Sequence, residues 1–244
     1  MAGLPETELS RLRSPQVGST EQHGPHLPLD VDIRISAHLC REAAAAASAP
    51  VLVAPPLPVG VAEHQMGFAG TISLSPESFM GTLYDIGHSL VRHGVERLAI
   101  VNGHGGNEAA VALVAQRLRL EGGARRVIYC SGWALSAAAF EPLRESPPGG
   151  VAHACEYETS VCLHLCPELV DAAAAVREVE EVAVEGTRFD LLDPGPYGAA
   201  VGRDFSRSGV QGDPTLASAE KGRVACEGAV AALARLLDEL AADR

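Results

Sequence analysis

Short apolar runs alternate along the chain with longer segments of helical period. "VLVAPP" (51–56), "RLAIVNG" (97–103) and "RRVIYCSG" (125–132) are apolar stretches closed by proline or glycine, the pattern of buried strands. Between them, "IRISAHLCREAAAAASA" (33–49) reads as an Ala-rich helix. "SPESFMGTLYDIGHSLVRHG" (75–94) opens with Ser-Pro-Glu, a helix start. "NEAAVALVAQRLRLEGG" (107–123) has apolar residues at helical spacing and stops at Gly-Gly. A last helix lies in "TLASAEKGRVACEGAVAALARLLDELAAD". This strand–helix alternation predicts an α/β protein with a mostly parallel sheet covered by helices on both faces. Residues 142–151 and 193–214 are loop-rich by their Pro and Gly content. The first strand, within "RLRSPQVGS", is more polar than a buried run should be, which points to a short strand or a sheet edge. With no internal repeat and no linker, residues 1–244 read as one domain.

Composition narrows the function classes. An apolar content of 47% supports a sizeable core, and aromatics at 4% leave its filling to aliphatic side chains and alanine. A formal charge of −12 repels polyphosphate, so no nucleic-acid partner is expected. No apolar stretch approaches the roughly 18 residues that cross a bilayer, so no membrane partner is expected either. The first residues, "MAGLPETELSRLRSPQ", lack the apolar segment of a secretory signal, and the expected location is the cytoplasm. Six cysteines without a Cys-x-x-Cys pair read as free buried thiols of a reducing compartment.

The loops after the strands, where ligands bind in such sheets, carry the densest clusters of histidine and carboxylate. In "STEQHGPHLPLDVD" (19–32), Glu21 and His23 are two apart and point the same way in an extended segment. Asp32 follows a proline-punctuated excursion able to fold back, and His26 is left over to orient a ligand. These hard-to-borderline donors suit zinc, manganese or iron(II). "NGHGGN" puts His104 at a strand end, with a helix starting near Asn107 whose amides could stabilise a developing oxyanion. "AHACEYETS" offers His153, Glu156 and Glu158, with Glu158 at a helix start and His153 just outside it, placed to move protons. Glu63 and His64, in "GVAEHQMGFAGT", are candidate substrate contacts together with Gly105 and Asn107. The doubled carboxylate–histidine set could hold two cations about 3.5 Å apart, bridged by Asp32 and by a hydroxide that attacks an amide carbon. Taken singly, residues 19–32 could be a solvated loop, His104 a structural histidine, and Glu156 and Glu158 first-turn acids favoured by the helix dipole.

Five ordered blocks, "VGSTEQHGPHLPLDVD", "EHQMGFAGTISL", "VNGHGGN", "HACEYETS" and "SGVQGDPTLASAEKGR", resemble the creatininase family of metal-dependent amidohydrolases. The resemblance implies a three-layer α/β/α fold and a binuclear centre with Glu21, His23, Asp32 and His104 as ligands and Asp32 bridging. It implies that His153 shuttles protons and that the chain assembles as a homohexamer. Creatinine-opening members carry Tyr-Glu after the histidine of the Gly-His motif, and that glutamate binds metal. Here Gly105 and Gly106 stand there, so Glu158 is nominated to complete the second site and to share catalysis with His153. The substrate-facing tryptophans of that branch are not evident, Trp133 being the only tryptophan. The expected function is hydrolysis of a C–N bond in a small amide or cyclic amide, with two divalent ions (Zn, Mn or Fe) per chain. The alternatives are a peptidase of a ribosomal peptide precursor, as in mycofactocin maturation, and a metal-binding scaffold without catalysis.

Overall fold

The computed structural model describes residues 13–179, 190–192 and 206–243. Its central sheet is parallel throughout. β1 (Arg13–Ser14) and β2 (Gln16–Val17) are two halves of one strand, flanked by β3 (Leu52–Val53) and β4 (Arg97–Asn102), and β5 (Arg126–Ser131) lies beyond β4. The break falls at Pro15, which has no N–H for the ladder, yet its carbonyl still accepts from Val101 at 3.0 Å. The first strand is short, as its polarity suggested, but it is interior rather than an edge. Its polar side chains Ser14 and Gln16 are buried and find partners: Gln16 Nε2 donates to the Ala54 carbonyl at 2.9 Å, and Ser14 meets the Cys40 thiol at 3.5 Å. The run at 51–56 yields only the two residues of β3, because Pro55 and Pro56 cannot continue a ladder.

Alternation along β4 builds the three layers. Leu98 and Ile100 point to one face, where they pack with Val17, with Phe79 and Leu83 of α2 (Pro76–Arg92) and with Val111, Val114 and Leu118 of α3 (Glu108–Leu120). Ala99 and Val101 point to the other. There α1 (Val31–Ala46), α4 (Gly132–Phe140), α5 (Glu156–Leu165) and α6 (Ala219–Ala242) share a second core, including Leu39, Phe140, Val161 and Leu233. Small residues at β4 on this side, and Ala225 and Ala229 on α6, let four helices crowd one face with few aromatics. Ser75 caps α2 by accepting from the Ser78 N–H, and Ser218 caps α6 through the Lys221 N–H. The hydrophobic pattern did not distinguish α4. A two-stranded antiparallel ribbon, β6 (Val151–His153) with β7 (Gln211–Gly212), lies outside the main sheet. Among the described residues no helix is long and apolar enough to cross a membrane. Part of the loop expected at 193–214 lies outside the described residues.

Candidate metal centre

The centre gathers where β2 and β4 end. After β2 the chain runs out to Glu21, turns through the prolines and returns, and the Glu21 N–H closes the excursion on the Leu29 carbonyl at 3.0 Å. α1 then begins, with Asp32 in its first turn, where the helix dipole favours a carboxylate. The start of α1 presses against the end of β4: a Cβ on Gly103 would lie 2.2 Å from the Asp32 carbonyl oxygen, so only glycine fits. His104 follows, its loop braced by Asn102, whose side chain accepts from the His104 N–H at 3.1 Å and donates to its carbonyl at 2.8 Å. β6 delivers His153, and the first turn of α5 delivers Glu158. Ala154, between them, sits at φ 49°, a strained conformation for a residue with a side chain that helps aim both.

Glu21, His23, Asp32, His104 and Glu158 converge, each at most 6% exposed. His104 Nδ1 stands 3.1 Å from Glu21 Oε1 and 3.2 Å from Asp32 Oδ2; His23 Nε2 stands 3.1 Å from Asp32 Oδ1 and 3.9 Å from Glu158 Oε1. Asp32 thus lies between the two halves, one oxygen toward each. Each imidazole is oriented from behind by a carbonyl, which can only accept: His104 Nε2 donates to Val61 at 3.0 Å and His23 Nδ1 to Glu21 at 3.2 Å. His23 Nε2 and Asp32 Oδ2 are buried with no hydrogen-bond partner. Native interiors rarely tolerate such orphans; His23 Nε2 faces the Asp32 Oδ1 and Glu158 side, and Asp32 Oδ2 faces the His104 side. The ligand atoms of His23, Asp32 and Glu158 lie within 4.8 Å of one another, as do those of Glu21, His64 and His104. Three carboxylates and imidazole nitrogens in this arrangement fit divalent transition ions.

The protonation behaviour has the same origin. Burial is the largest single influence on His23 and opposes its charge, but the Asp32 charge and hydrogen bond together with the Glu158 and Glu21 charges outweigh it and hold the imidazole up at about 10. Burial likewise opposes a charged His104, and Glu21 and Asp32 raise it well above its ordinary range. Burial would raise Glu21 and Asp32, yet the facing imidazoles hold both below the usual carboxylate range. Glu158, with less compensation, is pushed up to about 7 by burial. His153 is pulled down to about 4, first by burial and then by the His23 charge.

The remaining candidates divide. His153 faces the centre: its Nε2 donates to the Gln22 carbonyl at 2.7 Å, and Nδ1 lies 3.6 Å from Glu21 Oε1. Glu156 points away, its carboxylate held by Lys221 Nζ at 2.5 Å and by the Ser146 N–H at 2.9 Å. Of the two acids in "CEYETS", Glu158 is therefore the one within reach. His64 stacks on His104 with ring centroids 5.5 Å apart, while Glu63 is exposed beside it. Asn107 clamps three loops, accepting from the Val61 N–H at 2.8 Å and donating to the Gly18 carbonyl at 3.0 Å and to Asn102 Oδ1 at 3.4 Å. Its side-chain amide is thus engaged in holding the site together. Gly105 opens the short turn before α3. A Cβ at Gly106 would lie 2.2 Å from the Val61 carbonyl and 2.5 Å from His104 Nε2, so this backbone admits no glutamate there. His26 reaches no centre residue directly but bonds Thr159, the neighbour of Glu158, at 2.9 Å.

Sequence reasoning passed over Gln22 and Lys221. Gln22 sits between two centre residues, and its Nε2 donates to Gln65 at 2.9 Å and to the Gly209 carbonyl at 3.1 Å, lying also 3.1 Å from His153 Nε2. The available signal was a buried amide flanked by Glu21 and His23 in the same block. Lys221 lay in a block already singled out, but its partners are 65 and 76 residues away in the chain.

An α/β/α fold with a buried carboxylate–histidine set at its strand ends defines the class of metal-binding hydrolases. Residues 16–237 match the family model described as creatinine amidohydrolase, and the chain belongs to the creatininase family. It is 38% identical over 216 residues to the mycofactocin precursor peptide peptidase of Mycobacterium ulcerans, covering 85% of this chain and 76% of the relative. It is 33% identical over 169 residues to the creatinine amidohydrolase of Pseudomonas putida, covering 64% of each. A solved creatinine amidohydrolase structure superposes with TM-score 0.79 at 27% identity, covering 98% of this chain and 95% of that one. A structure described as creatininase Mn superposes with TM-score 0.78 at 28% identity over the same shares.

Proposed function

We propose that the protein hydrolyses an amide C–N bond in a small substrate at a two-cation centre held by Glu21, His23, Asp32, His104 and Glu158. The observation that carries this reading is the convergence of buried donors with unpartnered ends on either side of Asp32. Two divalent cations bound there would supply an activated water at neutral pH and polarise the substrate carbonyl. The chain's own residues do the rest. The Gln22 carbonyl fixes the Nε2 proton of His153, leaving Nδ1 toward the centre. His153, neutral near pH 7, then accepts a proton at Nδ1 and passes it to the leaving nitrogen. His64 and the exposed Glu63 border the centre and contact the substrate. The fully buried His23 and Asp32 keep bulk water from the reacting atoms. Gly106 in place of a metal-binding glutamate argues against creatinine itself as substrate.

A second reading is peptide clipping. It is favoured by four mycobacterial precursor-peptide peptidases at 36–38% identity over 84–85% of this chain. One experiment separates the readings. Protein purified without a metal-binding tag is assayed for metal content, then incubated with small amides and cyclic ureides and with a synthetic precursor peptide encoded near its gene. Products are read by mass spectrometry. Turnover of a small amide supports the first reading and peptide cleavage alone supports the second. Bound metal with no product from either set overturns both.

A further inference from the structure

The helix that carries Glu158 starts on a weak cap. Cys155 takes the N-cap of α5 with φ −94° and ψ −171°, the extended backbone of that position, but its side chain makes no cap hydrogen bond. α2 and α6 differ: the hydroxyls of Ser75 and Ser218 each accept from the N–H three residues on, at 3.2 and 3.3 Å. Glu158 is the third residue of α5, so Cys155 and Glu158 have the spacing of a capping box with sulfur in place of the hydroxyl. In a closed box the N-cap hydroxyl accepts from the N–H of that third residue, whose carboxylate folds back onto the N-cap N–H. A Glu158 folded back in that way would be drawn off the centre.

The structure shows the opposite arrangement. Glu158 Oε1 lies 3.9 Å from His23 Nε2, and Oε2 lies 3.9 Å from Cys155 Sγ, within reach of a weak S–H···O bond. His23 Nε2 is buried and unpartnered, so Oε1 faces a side that a cation would fill. Cys155 is 0% exposed. Burial and then the Glu158 charge raise its thiol well above its ordinary value, outweighing the nearby Glu158 and Tyr157 N–H groups, so the sulfur keeps a proton to donate. The residue is fixed against β7: a Cβ on Gly212 would lie 2.8 Å from the Cys155 Cβ, so only glycine fits there. Sulfur is a weak acceptor, and a thiol at this place does not close the box.

We propose that Cys155 is a positioning residue for the second cation: its thiol leaves the capping box open and donates to Glu158 Oε2, which keeps Oε1 turned to the His23 half of the centre. The inference rests on the reading of Glu158 as a metal ligand and adds how that ligand is held. Cys155→Ser supplies a strong acceptor at the N-cap, closes the box and withdraws Glu158. Cys155→Ala removes the S–H donor without adding an acceptor, so Glu158 is released but not withdrawn.

The test titrates zinc into metal-free, full-length protein against a chromophoric chelator and reads two stepwise constants. Affinity for the second cation should fall in the order wild type, Cys155→Ala, Cys155→Ser. The serine variant should lie about 10–100-fold below wild type, the range of residues that orient metal ligands. The first constant should not change. The metal-free serine variant should melt at or above the alanine variant, because it gains a cap. Affinity and stability then move in opposite directions, which a residue that only packs does not produce. A serine variant with the wild-type second constant, or affinities that follow the melting temperatures, overturns the proposal. Glu158→Gln in the same titration tests the underlying reading separately: if it keeps both constants, Glu158 is no ligand and the inference falls with it. If the serine variant does not fold, the infrared S–H band of the wild type, assigned by its loss in Cys155→Ala, decides. That band should shift as the second equivalent of zinc binds, and a band that stays in place overturns the proposal.

Discussion

Metal uptake is expected to expel protons, because the buried donors hold protons where cations would sit. At pH 8 the metal-free centre carries three carboxylate charges, from Glu21, Asp32 and a mostly ionised Glu158 whose pKa is about 7. His23, at about 10, is then a cation, and His104 is shifted in the same direction by the facing Glu21 and Asp32 carboxylates. Both imidazoles must offer lone pairs to bind metal, so His23 releases about one proton per chain at pH 8 and protonated His104 adds to it. At pH 6 Glu158 is largely protonated as well, and about one more leaves. By linkage, apparent affinity should rise with pH between pH 8 and 9, by up to about tenfold per unit from His23 alone. Stability of the metal-free protein moves the opposite way. The folded pKa of His23 lies above its unfolded value of 6.5, so its contribution is complete below pH 6.5 and is lost as pH rises through about 10. A rise of that size corresponds to about 5 kcal/mol for a fully buried group. The assay is calorimetric titration of metal-free protein with zinc or manganese in two buffers of different protonation enthalpy, at pH 6 and pH 8. Release of fewer than one proton at pH 8 would refute the placement of both imidazoles in the centre.

Four further outcomes are expected. Asp32→Ala should abolish binding of both cations, since one Asp32 oxygen faces each half; full metal content by plasma mass spectrometry would contradict this. Glu158→Gln should drop metal content from two ions to one per chain with little change in melting temperature, because Glu158 faces only the His23 half. Gly106→Ala drives a Cβ to 2.2 Å from the Val61 carbonyl, and denaturant unfolding should show a loss of about 1–3 kcal/mol together with weaker metal binding. Lys221→Met strips Glu156, which is 0% exposed, of its buried cation. A loss of about 3 kcal/mol or more should follow, partly recovered in the double variant with Glu156→Gln.

The sequence by itself determined what local chemistry can write. Apolar runs and caps located β4, β5 and the helices α1, α2, α3 and α6, because period and punctuation are properties of neighbours in the chain. The spacing of Glu21, His23 and Asp32 within one proline-stiffened block announced a donor set, and the glycines around His104 announced a close approach. Tertiary structure decided the rest. Pro15 and its polar neighbours look like an edge in sequence, yet Ser14 and Gln16 find buried partners at Cys40 and Ala54, and the strand becomes interior. Glu156 and Glu158 are equivalent first-turn acids until Lys221, from a distant helix, claims the first and leaves the second for the centre. Gly106 looks merely permissive, but Val61, from a separate loop, makes it obligatory. Each of these outcomes depends on which distant group arrives at the residue, and that arrival is set by how the layers pack rather than by any pattern along the chain.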